Sequence, residues 1–81
     1  MRIKNRVTIY SKENCPYCKM AEQLALQHNS IVMYKVLGEH FDAKELMETF
    51  PGARTFPQII LNDEKIGGYS ALLTLLTEQN E

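Results

Sequence analysis

Cysteine is almost missing from this chain: its 81 residues hold two, Cys15 and Cys18, placed three positions apart. A bridge between such near neighbours closes too short a loop to constrain the unfolded chain much, which argues against a purely structural staple. Charge of one sign is missing as well. Nine Lys and Arg against ten Asp and Glu give a formal net charge of -1, and nothing in that balance points to nucleic acid. No apolar run is long enough to span a membrane. The basic start, Met1 to Arg6, is followed by only about four strand-like residues, where a secretory signal needs about seven or more apolar ones. Glycine and proline are sparse, at four and three, and no low-complexity tract, linker or internal repeat interrupts the chain. What remains, 44% hydrophobic and 23% charged, is the balance of an ordinary soluble domain. Residues 1–81 are expected to form one domain with a small core. The expected location is the cytoplasm, a reducing compartment, where a vicinal cysteine pair is catalytic or metal-binding rather than a permanent bridge.

Ile3 to Tyr10 reads as a first strand, and Pro16 to Asn29 as a helix with Met20, Ala21, Leu24 and Ala25 along one stripe. Ser30 marks a break. Ile31 to Leu37 is a second strand, apolar enough to be covered on both faces, and Gly38 ends it. Asp42 to Phe50 reads as a short helix. Asp42 caps it, Glu45 completes a capping box, and Leu46, Met47 and Phe50 form its apolar side. Pro51-Gly52 stops that helix. Gln58 to Leu61 and Lys65 to Gly67 flank a turn of Asn62, Asp63 and Glu64, which predicts a hairpin. Tyr69 to Gln79, with Leu72, Leu73, Leu75 and Leu76, predicts a terminal helix. Met20, Met33 and Met47 are assigned to the core. The order β-α-β-α-β-β-α predicts an α/β domain: a mixed four-stranded sheet flanked on both faces by three helices, the minimal thioredoxin fold.

The cysteines fall where that order turns from first strand to first helix. Val7-Thr8-Ile9-Tyr10 suits a strand, Ser11 to Asn14 break the pattern, and Pro16 suits the first position of a helix. A Cys-x-x-Cys at such a junction reads as thiol–disulfide redox chemistry. Only the thiolate attacks a disulfide, and a free cysteine of pKa about 8.5 is only about 3% ionised at pH 7. With Cys15 as N-cap, its sulfur faces the amides of Tyr17 and Cys18 and the positive end of the helix dipole. Lys12 and Lys19 add positive charge nearby, so every contribution favours the anion. A pKa lowered by about three gives roughly thirtyfold more thiolate, but lost nucleophilicity offsets most of that. The gain lies in departure: a stabilised thiolate leaves readily from a mixed disulfide and makes the pair more oxidising. Cys18, one turn on and facing inward, is the resolving thiol. A zinc site would need further ligands, and His28 and His40 lack the spacing.

Cys15-Pro16-Tyr17-Cys18, then Thr55-Phe56-Pro57-Gln58-Ile59, then Gly67-Gly68-Tyr69-Ser70 resemble the three signature segments of a glutaredoxin, in order and over nearly the whole chain. Thioredoxins usually carry Trp-Cys-Gly-Pro-Cys, and this chain has no tryptophan. Its length is similar to that of the short bacterial and phage members. The resemblance implies a dithiol enzyme using glutathione as reducing co-substrate, with no metal. It implies a cis Pro57 facing the cysteines, leaving the Phe56 backbone, after Thr55, to pair with the cysteinyl part of glutathione. Lys12 would hold the glycine carboxylate, aided by Lys35 or Arg54, and Tyr17 would form a wall. Behind Gly67-Gly68, the amides of Tyr69 and Ser70 would receive the γ-glutamyl carboxylate. Implied clients are glutathionylated or disulfide-bearing proteins, ribonucleotide reductase among them, met by a monomer with no nucleic-acid or membrane partner.

One position departs from the pattern. Family members commonly carry Asp-Asp or Asp-Glu after the Gly-Gly-x element, where this chain has Ser70-Ala71. Serine can cap the helix but supplies no charge for the glutathione amino group. That keeps a second reading open, an electron donor reduced by thioredoxin reductase. A third, an iron-sulfur cluster held between two subunits, is opposed by Pro16, where cluster-binding members usually have a small residue.

Overall fold

The computed structural model describes residues 5–78. Alternation sets the framework: Val7 and Ile9 of the first strand are buried on one face, while Tyr10 belongs to a separate cluster on the other. The elements are β1 (Asn5–Ser11), α1 (Pro16–Gln27), β2 (Ser30–Val36), α2 (Ala43–Thr49), β3 (Gln58–Leu61), β4 (Glu64–Gly67) and α3 (Tyr69–Glu78). The sheet order is β2-β1-β3-β4, with β1 parallel to β2 and the remaining pairs antiparallel. This is the mixed four-stranded arrangement expected. The proposed strand start at Ile3 and helix end at Gln79 lie outside the described residues.

α1 and α3 cover one face, where Ala21 and Ala25 meet Ile59, Leu61, Leu72 and Leu76. The two alanines let the helix approach the sheet closely, so the stripe is built from them and Leu24 rather than from Met20. On the opposite face, Leu46 and Phe50 of α2 pack with Tyr10 and Phe41. The Tyr10 ring meets Phe41 and Phe50 edge-on at centroid distances of 4.9 and 5.1 Å. α2 begins as its sequence suggests: Asp42 accepts from the Glu45 amide at 2.8 Å while Glu45 accepts from the Asp42 amide at 3.3 Å.

Several expectations need correction. β2 is an edge strand, not a strand covered on both faces, and Ile31 and Met33 are 52% and 56% exposed. Met20 and Met47 are exposed too, so the three methionines assigned to the core lie outside it. Leu73 is likewise exposed, while Leu72 and Leu76 face the sheet. α1 ends at Gln27 rather than Asn29, because Asn29 takes a left-handed backbone with φ 59°. The hairpin turn has two residues, Asn62 and Asp63, with φ 50° and 72°, and Glu64 already belongs to β4. That conformation suits Asn and Asp better than most residues. The turn is tied back to β1. Asn62 Oδ1 accepts from the Arg6 amide at 2.9 Å, Asn62 Nδ2 donates to Asn5 Oδ1 at 2.8 Å, and Arg6 pairs with Asp63 at 2.9 Å.

Candidate active site

Asn14, with φ 57°, turns the chain out of β1 and delivers Cys15 to the N-cap of α1, with Pro16 in the first turn. Pro16 fits there because the first amides of a helix lack intrahelical partners. Cys15 Sγ accepts from the Cys18 amide at 3.2 Å. Of the two amides expected to face the sulfur, it is that of Cys18 that donates. Cys15 is partly exposed, Cys18 is fully buried, and the two are joined by a disulfide with their Cα atoms 5.3 Å apart. The accessible sulfur is therefore the one at the helix mouth, with its partner beneath it.

Two concavities lie at this end of the molecule. The smaller, about 270 Å³, is lined by Tyr17, Thr55, Phe56, Pro57, Gly68, Tyr69, Ser70 and Ala71. Seven of these are the residues singled out from sequence as a ligand site, and the fold brings them together. The Phe56-Pro57 bond is cis and Pro57 is buried. The loop before it is braced by Gln58, whose side-chain amide donates to the Thr55 carbonyl at 2.9 Å. Gly67, at φ 109°, adopts a backbone that favours glycine, and a methyl on Gly68 would stand 3.6 Å from the Pro57 carbonyl. The lead-in to α3 thus runs close beside the proline loop. The Tyr17 and Tyr69 rings stand 5.9 Å apart across the cleft. No charged side chain lines it among the described residues.

The larger groove, about 620 Å³, lies between α1 and β2, with Cys15 in its wall beside Lys12, Lys19, Tyr34, Val36 and Glu39. Lys12 lines this groove, yet its ammonium sits 5.6 Å from the Phe56 ring, so it stands where the two concavities meet. Lys19 faces the Tyr34 ring at 4.6 Å and pairs with Glu22 at 3.8 Å. Lys35 and Arg54, considered as helpers of Lys12, line neither concavity, and Lys35 Nζ donates to the Tyr10 hydroxyl at 3.5 Å. Sequence reasoning missed Tyr34, Val36 and Glu39, which carry no motif and reach Cys15 only through the parallel crossover. Ala71, also missed as a lining residue, adjoins Ser70 and was within reach of the motif.

The arrangement offers one chemistry: exchange at a helix-capping sulfur, with a buried second sulfur to close the cycle. Among the described residues no group of three His, Cys, Asp or Glu side chains could hold a metal ion. No described helix is long and apolar enough to cross a membrane. The glutaredoxin family model matches residues 7–66. A probable glutaredoxin of Synechocystis is 35% identical over 74 residues, covering 90% of this chain and 68% of that protein. The oxidised glutaredoxin of Escherichia coli superposes with a TM-score of 0.75 at 26% identity, over 93% of this chain and 96% of that one. A buckwheat glutaredoxin in complex with glutathione shares the fold, with a TM-score of 0.68 at 24% identity over 91% and 78% of the two chains. The family match spans the strand, the capped sulfur, the proline loop and the hairpin, so the chain belongs to the glutaredoxins and, with its Cys15-Cys18 pair, is a dithiol thiol–disulfide oxidoreductase.

Proposed function

We propose that this oxidoreductase is glutathione-dependent and reduces glutathione mixed disulfides and protein disulfides. The observation that carries the reading is the position of Cys15, a partly exposed, amide-capped sulfur bridged to a buried partner sulfur below it. Cys15 thiolate attacks the glutathione sulfur of a mixed disulfide and the client leaves as a thiol. A second glutathione then releases the first as glutathione disulfide. With a protein disulfide, Cys18 resolves the Cys15 adduct and glutathione later reduces the internal bridge. The small cleft is the glutathione site in this reading. Phe56 backbone pairs with the cysteinyl unit, and Thr55, Pro57, Gly68 and Tyr17 shape the walls. Tyr69 and Ser70 amides receive the γ-glutamyl carboxylate, and Lys12 reaches the glycine carboxylate from the junction. That a buckwheat glutaredoxin of the same fold forms a complex with glutathione supports the choice of this thiol as the ligand. A monomer in a reducing compartment such as the cytoplasm, with ribonucleotide reductase among its clients, completes the proposal.

The test is turnover coupled to glutathione reductase on a glutathionylated protein. Cys15→Ser is expected to abolish every activity, whereas Cys18→Ser keeps deglutathionylation and loses reduction of protein disulfides. Equal residual activity in both variants overturns the assigned roles. The uncharged lining of the cleft favours one second reading, reduction by thioredoxin reductase. Supplying each reductant alone separates the two, and a colourless purified protein rules against a bound iron-sulfur cluster.

A further inference from the structure

Apart from Lys12 at its junction with the small cleft, the larger groove is not used by the glutathione reading, although the reactive sulfur lies in its wall. At about 620 Å³ it has more than twice the volume of the small cleft, and it falls within the roughly 300–1,000 Å³ usual for ligand sites. Geometry of exchange gives it a role. When Cys18 resolves an adduct on Cys15, the three sulfurs align, so a client sulfur must lie on the side of Cys15 away from Cys18. Cys18 is fully buried, so that side is the open one.

The far wall of the groove belongs to an edge strand. The Leu37 amide donates to the Ser11 carbonyl at 2.9 Å and the Lys35 carbonyl accepts from Ser11 Oγ at 2.7 Å, so the backbones of these two residues face β1. By the alternation of a parallel ladder, Val32, Tyr34 and Val36 turn their amides and carbonyls to the outer edge. Val36 is already occupied. Its amide donates to His40 Nδ1 at 2.9 Å, and its carbonyl accepts from the Glu39 and His40 amides at 3.0 and 2.9 Å. The edge is therefore closed at Val36 and open to a strand partner at Tyr34 and Val32. The side chains that alternate with them, Ile31 and Met33, are more than half exposed, which makes this stretch a template for pairing.

We propose that this groove and the outer edge of β2 receive an extended polypeptide segment of a disulfide-bearing client, added beside Tyr34 and Val32. The inference rests on the pair acting as a disulfide reductant. The Cys15 thiolate attacks one client sulfur, the client disulfide breaks, and its other sulfur leaves as a thiolate that takes a proton from water. Cys18 then gives up its proton and attacks Cys15, and the Cys15–client bond breaks to free the second client thiolate. Two electrons pass from the enzyme dithiol to the client, leaving the bridge seen here. Backbone pairing holds clients of differing sequence, while the small cleft stays free for the small thiol.

The experiment uses full-length Cys18→Ser protein, or Cys18→Ala if the serine variant fails to fold. Two adducts are prepared on Cys15, one with an extended cysteine peptide activated as a mixed disulfide and one with glutathione. Amide hydrogen exchange is then read by NMR. The peptide adduct is expected to slow exchange at Tyr34 and Val32 by about tenfold or more relative to the glutathione adduct. Unchanged Tyr34 and Val32 amides in the peptide adduct, with protection confined to Phe56, overturn the groove and leave the exchange chemistry standing. Failure of either probe to form an adduct overturns the exchange chemistry itself, and the groove with it.

Discussion

At the scale of single residues, the distinction between Cys15 and Cys18 comes from place rather than type. The Cys18 amide donates to Cys15 Sγ at 3.2 Å, and that contact is worth more to an anion than to a thiol. In the reduced protein Cys15 is therefore expected to titrate below the usual cysteine range. The sign follows: the gain is complete above the pKa of an unfolded-chain cysteine, about 8.5, and is lost progressively as pH falls from there through the folded-state pKa. Ultraviolet absorbance of the thiolate checks this, and a sulfur still protonated at neutrality would contradict it. Ser70 is the second decisive residue. It stands in the first turn of α3 at the edge of a cleft that no charged side chain lines among the described residues, so the amino group of a glutathione bound as proposed would meet no counter-charge there. Ser70→Asp is expected to tighten glutathione binding by about three- to tenfold, a charge-assisted contact at a half-solvated site. Calorimetric titration showing no change or a loss would count against the cleft assignment.

Among the elements, α2 was the most legible from sequence, because the partners of its capping box stand three residues apart and need no tertiary contact to find each other. Asp42→Ala removes the acceptor for the Glu45 amide and is expected to cost about 1 kcal/mol, a loss of roughly 4–8 °C in Tm for a domain of this size. Thermal unfolding followed by circular dichroism measures it. The Cys15 cap was legible for the same reason, being set by Pro16 and an amide one turn away. β2 was misread because composition does not reveal strand order. Ile31 and Met33 look like the residues of a central strand, but their exposure depends on β3 pairing with the other side of β1, and that contact lies far along the chain. Methionine misled in a related way: Met20 shares a helix with Ala21 and Ala25, and the two smaller residues won the sheet-facing positions by allowing closer packing. The small cleft could be read from three motifs. The groove could not, since Tyr34, Val36 and Glu39 meet Cys15 only after the crossover closes.

For the molecule as a whole, the sheet divides the labour. The α1 and α3 face carries the main core, the α2 face carries a smaller aromatic one, and both concavities open at the end where β1 gives way to α1. The β3–β4 ribbon crosses between the poles of this body. Its open end supplies Pro57 and Gly68 to the small cleft, and its closed end is the Asn62-Asp63 turn fastened to Asn5 and Arg6. Asn62→Ala deletes two hydrogen bonds and puts alanine in a left-handed backbone, so it is expected to lower stability by about 1–3 kcal/mol in urea unfolding. The same mooring has a remoter effect. Strands of this length span only about 13 Å, and a short twisted ribbon pinned at its tail moves as one stiff lever. On the proposed glutathione reading, slackening the knot at the turn is therefore expected to loosen the grip of the small cleft at the opposite pole, through a residue that never touches the ligand.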